Sequence, residues 1–164
     1  MIKRLSDYQK LAITTATYPE QFKIIYPTLE MVDETQEFAS AHGRDKEILE
    51  IGDCFFPFAN LVNELGLDIE SIYDDAIDSF KDLVYGSMSD AINTMKEASA
   101  KICGRVKRWL MYDDTDELPS DEYIMDIEFS LIAYLSAMLY ICSALEVTWQ
   151  EVVQINIDKS YRKK

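Results

Sequence analysis

The chain is poor in the residues that support several common chemistries. It has one histidine, His42, so the Glu-x-x-His pair that a di-iron helix bundle takes from each of two helices cannot form. Its three cysteines, Cys54, Cys103 and Cys142, are far apart and show no C-x-x-C spacing. Neither a disulfide framework nor a zinc site follows, and a reducing, cytoplasmic setting is expected. Five glycines and four prolines in 164 residues disfavour a turn-rich sandwich or barrel. Basic residues are also scarce, with 16 Lys and Arg against 30 Asp and Glu and a net charge of -14. That balance excludes a non-specific nucleic-acid binder. It does not exclude a small phosphate ester, because a bound divalent cation reverses the local sign.

Long apolar runs are scarce as well. The first ten residues, MIKRLSDYQK, contain no apolar core of a signal peptide. The 17 residues 129–145 carry no charge, but they fall at the short limit for a membrane span and are diluted by three serines. They are read as a buried helix, with no membrane partner expected.

What the chain does have is helical periodicity and an apolar share of 48%, enough for a core. Ser6-x-x-Gln9 reads as a capping box opening a first helix. Pro19 and Pro27 interrupt the chain before a helix over 28–41, and His42-Gly43-Arg44 forms a turn. Helices follow over 46–65, stopped by Gly66, and over 69–84. After Tyr85-Gly86-Ser87 come helices over 88–111 and 120–145, separated by an acidic loop. Thr148-x-x-Glu151 caps the last helix. The expected fold is an all-α antiparallel bundle. The order of long helix, turn, long helix, short helix occurs twice, which predicts an internal duplication with halves 1–84 and 85–164 around one shared core.

Chemistry concentrates in the first hairpin. Glu34 and Glu37 lie three residues apart and share a helix face, as do Glu50 and Asp53. Counted outward from Gly43, Glu37 matches Glu50 in height and Glu34 matches Asp53. Four carboxylates in two facing rungs repel one another, and a hard divalent cation relieves the repulsion. All-oxygen ligation suits Mg²⁺, and Mn²⁺ as well. The competing reading is a pair of solvated helix faces in a chain rich in acids. Gly52 would let the two backbones approach closely. A second motif closes the last helix, where Asn156, Lys159 and Arg162 are three apart on one face. An amide and two cations in line can grip a phosphate chain, or can merely complement the helix dipole. Lys23, Arg44 and Lys46 are weaker phosphate candidates. Phe56, Tyr18 and Trp149 are candidate walls for a base.

These residues resemble the MazG-like nucleotide pyrophosphohydrolases. The resemblance runs through Asp7-Tyr8-Gln9, Thr14-Thr15-Ala16-Thr17-Tyr18-Pro19, Tyr26-Pro27, Asp33-Glu34-Thr35-Gln36-Glu37, Glu50-Ile51-Gly52-Asp53, Leu65-Gly66-Leu67 and Asn156-x-x-Lys159-x-x-Arg162. It implies an all-α bundle that hydrolyses a (deoxy)nucleoside triphosphate to the monophosphate and pyrophosphate with Mg²⁺. The family's metal ligands map onto Glu34, Glu37, Glu50 and Asp53, with Glu34 or Glu37 positioning the attacking water. Its phosphate-end residues map onto Asn156, Lys159 and Arg162.

The chain departs from that pattern in a complementary way. In the first half, Ala76, Ser79 and Asp82 stand where the basic motif would fall, and in the second half Ser130 and Ala133 stand where Glu50 and Asp53 would fall. This predicts a covalent pseudo-dimer with one composite site, the acids from the first half and the amide and cations from the second. The expected partner is a small-molecule nucleotide, and surface-capable aromatics such as Trp109 and Tyr112 allow a homodimer. The alternative is a non-catalytic acidic helical protein that binds a partner or senses nucleotides.

Overall fold

Each helix boundary reflects a local conflict in the chain. The computed structural model describes residues 2–82, 85–112 and 117–162, and the side chains of 80–82 and 162 fall outside that description. The acidic run 113–116 and residues 83–84 are likewise outside the described residues. The helices are α1 (Leu5–Thr15), α2 (Ile25–Ala39), α3 (Arg44–Glu64), α4 (Ile69–Asp82), α5 (Met88–Tyr112), α6 (Asp121–Ala144) and α7 (Trp149–Arg162). A 3₁₀ turn spans Glu20–Phe22, and no strand occurs among the described residues. The protein is an all-α bundle.

Two expected helix starts are corrected. Ser6 and Gln9 do not form a capping box. Helix α1 begins at Leu5, and the Ser6 amide donates to Glu70 Oε1 of α4 at 2.8 Å, so a distant acid caps this helix. Gln9 instead donates to the Ala59 carbonyl at 3.0 Å. Helix α2 begins at Ile25 rather than Thr28, because Pro27 sits in its first turn, where a missing N–H breaks no helical bond. The second capping box forms as read, with Thr148 and Glu151 exchanging hydrogen bonds of 2.8 and 3.2 Å.

The two long hairpins, α2–α3 and α5–α6, are antiparallel, and α3 and α6 each bury more apolar residues than any other helix. Phe58 and Tyr134 stack between them at 6.3 Å, both fully buried. Helix α6 is long and apolar enough to cross a membrane by length and composition, yet over half of its apolar window is buried within the fold.

The short helices cross over. Helix α4 packs on α6 and α7 packs on α3, while α2 meets α5. Exchanging α2–α3–α4 for α5–α6–α7 leaves this packing scheme unchanged. The crossover turns also match, 80 positions apart. Gly66 (φ 69°) and Glu146 (φ 56°) both adopt the left-handed conformation. In each turn the next amide reaches back five residues, Leu67 to Val62 and Val147 to Cys142, both at 3.0 Å. Glu146 holds that conformation without glycine's freedom. Arg44 secures the second turn by donating to the carbonyls of Leu145 (3.0 Å) and Glu146 (3.4 Å).

Candidate functional site: an acidic cluster faced by an amide and an ammonium

Antiparallel pairing of α2 and α3 brings Glu34, Glu50 and Asp53 together. One carboxylate oxygen from each lies within 4.8 Å of the others, a spacing that a single cation could bridge. Glu37 is exposed and falls outside this trio, though its charge still reaches Glu34. At about 100° per residue, Glu37 points roughly 120° away from the centre of the buried stripe of Met31, Thr35 and Phe38, whereas Glu34 points only about 60° away. Glu34 thus meets Asp53, as the matched heights predict, while Glu37 lies at the exposed rim.

An acid without a role in the sequence reading, Glu30, enters instead. It lies one turn before Glu34 and lines the same cleft, of about 170 Å³, with Asp53, Phe56, Asn156, Lys159 and Ser160. Its signal was present as the i, i+4 spacing of Glu30 and Glu34. The Oε2 atoms of Glu30 and Glu34 are both buried and without a hydrogen-bond partner. Burial, and then the Asp53 and Asp33 charges, push the Glu30 carboxyl up to about 7. Burial also dominates at Glu34, reinforced by Asp53, Glu37, Glu30 and Glu50, and raises it to about 7. The cluster is thus short of positive charge on its α2 side, and its all-oxygen donors fit a hard divalent cation.

Helix α7 supplies the other wall. Asn156 Nδ2 donates to Asp53 Oδ1 at 2.9 Å, and Lys159 Nζ forms an ion pair with Asp53 Oδ2. Burial alone would lower the Lys159 ammonium. Its hydrogen bond to Asp53, together with the Asp53, Glu50 and Glu34 charges, outweighs that and holds it above the ordinary lysine range. Two residues of α7 therefore share one carboxylate of α3. Arg162 ends the α7 backbone, but its side chain lies outside the described residues.

Two features make this contact possible. Gly52 faces α7 rather than α2, so the expected close approach within the first hairpin is corrected. A Cβ built at Gly52 would meet the Val152 carbonyl oxygen at 3.3 Å and the Asn156 Cβ at 3.5 Å. The second feature is Tyr8, fully buried, whose hydroxyl donates to Asn156 Oδ1 at 2.8 Å. Burial, then the Asp53 charge, hold the Tyr8 phenol well above its usual range, so it stays a donor. With its oxygen taken, Asn156 can only aim its amide nitrogen at Asp53. Tyr8 had no assigned role in the sequence reading, because a tyrosine on a helix shows nothing of what its hydroxyl meets.

The weaker candidates fall elsewhere. Lys23 pairs with Glu20 at 2.7 Å, Arg44 caps the crossover turn, and Lys46 is exposed. Phe56 lines the cleft. Tyr18 donates to Glu64 at 3.0 Å and stacks on Tyr26, while Trp149 is buried against Tyr73. Trp109 is buried rather than surface-capable, at 5% exposure, whereas Tyr112 is 74% exposed.

Comparison with family models, curated proteins and solved structures finds no match for this chain.

Proposed function

We propose that this protein is a Mg²⁺-dependent nucleoside triphosphate pyrophosphohydrolase of the MazG-like kind, cleaving its substrate to the monophosphate and pyrophosphate. The observation that carries the reading is the three-carboxylate cluster of Glu34, Glu50 and Asp53 facing Asn156 and Lys159 across one small cleft. Glu34, Glu50 and Asp53 would hold the metal, with Glu30 or the rim residue Glu37 completing the acid set. Bound Mg²⁺ would neutralise these carboxylates and polarise the triphosphate. Glu34 suits the role of general base, because its buried Oε2 has no partner. It would take a proton from the water attacking the α-phosphorus as the bond to the β-phosphate breaks. Lys159, with Arg162, would meet the negative charge gathering on the leaving pyrophosphate. Asn156, aimed by Tyr8, would fix the register of Asp53, and Phe56 would offer an apolar wall to the nucleoside.

The same reading takes the halves as divergent copies forming a covalent pseudo-dimer. The unchanged packing scheme under helix exchange and the two matched left-handed turns support it. The crossover of α7 onto α3 would then explain why one composite site remains.

One observation favours the non-catalytic alternative. Lys159 already pairs with Asp53, so an internal ammonium occupies part of the place a metal would take. Pyrophosphate release from a panel of NTPs and dNTPs, with Mg²⁺ and with EDTA, separates the two. Metal-dependent release from any nucleotide supports the enzyme. No release from a folded sample supports the binding protein.

A further inference from the structure

A second groove lies away from the acidic cluster. It runs between α5 and α6, has a volume of about 590 Å³, and is lined on the α5 side by Lys101, Arg105, Lys107 and Arg108. It lies on the second long hairpin, as the acidic cluster lies on the first, but no residue of α4 lines it. Glu50 and Asp53 of α3 are replaced 80 positions on by Ser130 and Ala133, and both line this groove. The groove carries cations where the acidic cleft carries carboxylates. Only Glu97 and Asp126 oppose its four cations, in a chain of net charge -14.

We propose that the α5–α6 groove is a metal-independent binding site for a nucleoside phosphate. Four observations converge on that ligand class. Arg105 is held by an ion pair with Asp126 and lies over the Tyr123 ring at 5.6 Å, which leaves it fixed at the groove wall. Lys101, Lys107 and Arg108 form no ion pair among the described residues, and like charges a helical turn apart repel until an anion joins them.

Gly104 lies in the interior of α5, in the middle of these cations, with no atom within 4 Å of where its Cβ would be. Nothing in the fold requires a glycine there, and glycine weakens a helix relative to alanine. Its effect is to keep the backbone open to a close approach. Phe129, on the α6 wall, is 65% exposed and presents a flat apolar face beside the cations. Phosphate recognised by cations next to a ring that can stack is the chemistry of a nucleotide. The volume lies within the range of about 300–1,000 Å³ typical of small-molecule sites.

This inference does not depend on hydrolysis at the acidic cluster, and the test keeps the two apart. Binding of adenosine monophosphate is measured by calorimetry in EDTA, where the acidic cleft carries no metal and repels the probe. Saturable one-to-one binding is expected. It should weaken by about tenfold or more in the Lys101→Gln/Arg108→Gln double variant, whose positions are both exposed, and stay within about twofold in Glu50→Gln. Gly104→Leu should fold at least as stably as the parent and lose the binding. Inorganic phosphate should bind about tenfold more weakly than adenosine monophosphate. The proposal is overturned by absence of saturable binding or by binding indifferent to Lys101 and Arg108. It is equally overturned by loss of binding in Glu50→Gln or by inorganic phosphate binding as tightly as the nucleotide.

Discussion

Lys159 and Asp53, 106 positions apart, form an ion pair where α7 crosses α3. It joins a cation of the second half to an acid of the first, and the other oxygen of Asp53 is taken by Asn156. With no metal bound, this lysine is the main local compensation for a cluster of carboxylates.

Lys159 should therefore compete with a divalent cation. The Lys159→Met variant is expected to bind Mn²⁺ about tenfold more tightly without nucleotide, as read by electron paramagnetic resonance titration. Its pyrophosphohydrolase activity should fall by about 10²-fold or more, because the charge that meets the leaving group is gone. Weaker Mn²⁺ binding in this variant would mean that Lys159 organises the metal site rather than competing for it.

Stability without metal should decline as pH rises. Glu30 and Glu34 have folded-state pKa values raised to about 7, so the folded protein holds protons that the unfolded chain has released. The stabilisation from those protons is present at pH near 4.5 and is lost as pH climbs through about 7. Both groups are partly exposed, and solvent screening reduces the effect to about 1 kcal/mol, or about 2–4 °C in thermal midpoint. Scanning calorimetry between pH 5 and pH 8 in EDTA checks this. The Glu30→Gln/Glu34→Gln variant should flatten the dependence, and Mg²⁺ should restore stability at pH 8.

Two glycines should respond to alanine with opposite signs. Gly52→Ala pushes a Cβ toward the Val152 carbonyl oxygen at 3.3 Å, and backbone cannot move aside cheaply. A loss of about 1–3 kcal/mol is expected, with lower activity as Asn156 and Lys159 shift from Asp53. Gly104→Ala meets open space and should gain about 0.5–1 kcal/mol. Urea unfolding of both variants measures the pair.

Tyr8→Phe removes one buried hydroxyl and leaves Asn156 Oδ1 without its donor. The expected cost is about 1–3 kcal/mol in urea unfolding. Mn²⁺ affinity should change little, because Tyr8 does not touch the acid trio, while turnover should fall as Asn156 loses its fixed orientation.

The sequence made the helices and half of the site legible for a physical reason. Capping at Thr148, the left-handed Gly66 and the three-residue spacings of Glu34, Glu50, Asp53, Asn156 and Lys159 are local patterns. The missed features are long-range or rotational. Glu70 capping α1 and Tyr8 aiming Asn156 are contacts across 64 and 148 positions that no local spacing encodes. Glu30 lies one turn before Glu34 and outside the matched rungs, so counting outward from the turn passes over it, and the same count gives height along a helix but not exposure, which leaves Glu37 at the rim. The close approach at Gly52 is legible as a glycine, but its partner helix is set by the crossover of α7.

Pyrophosphate release with Mg²⁺, compared between the parent protein and Glu50→Gln, tests the central claim most directly. Glu50 lies in the acid trio but makes no hydrogen bond or ion pair to α7 among the described residues, so the variant should fold normally. The account predicts release from at least one nucleoside triphosphate, with none beyond background in Glu50→Gln or in EDTA. Equal release from parent and variant would contradict it, as would none from a folded parent across the whole panel.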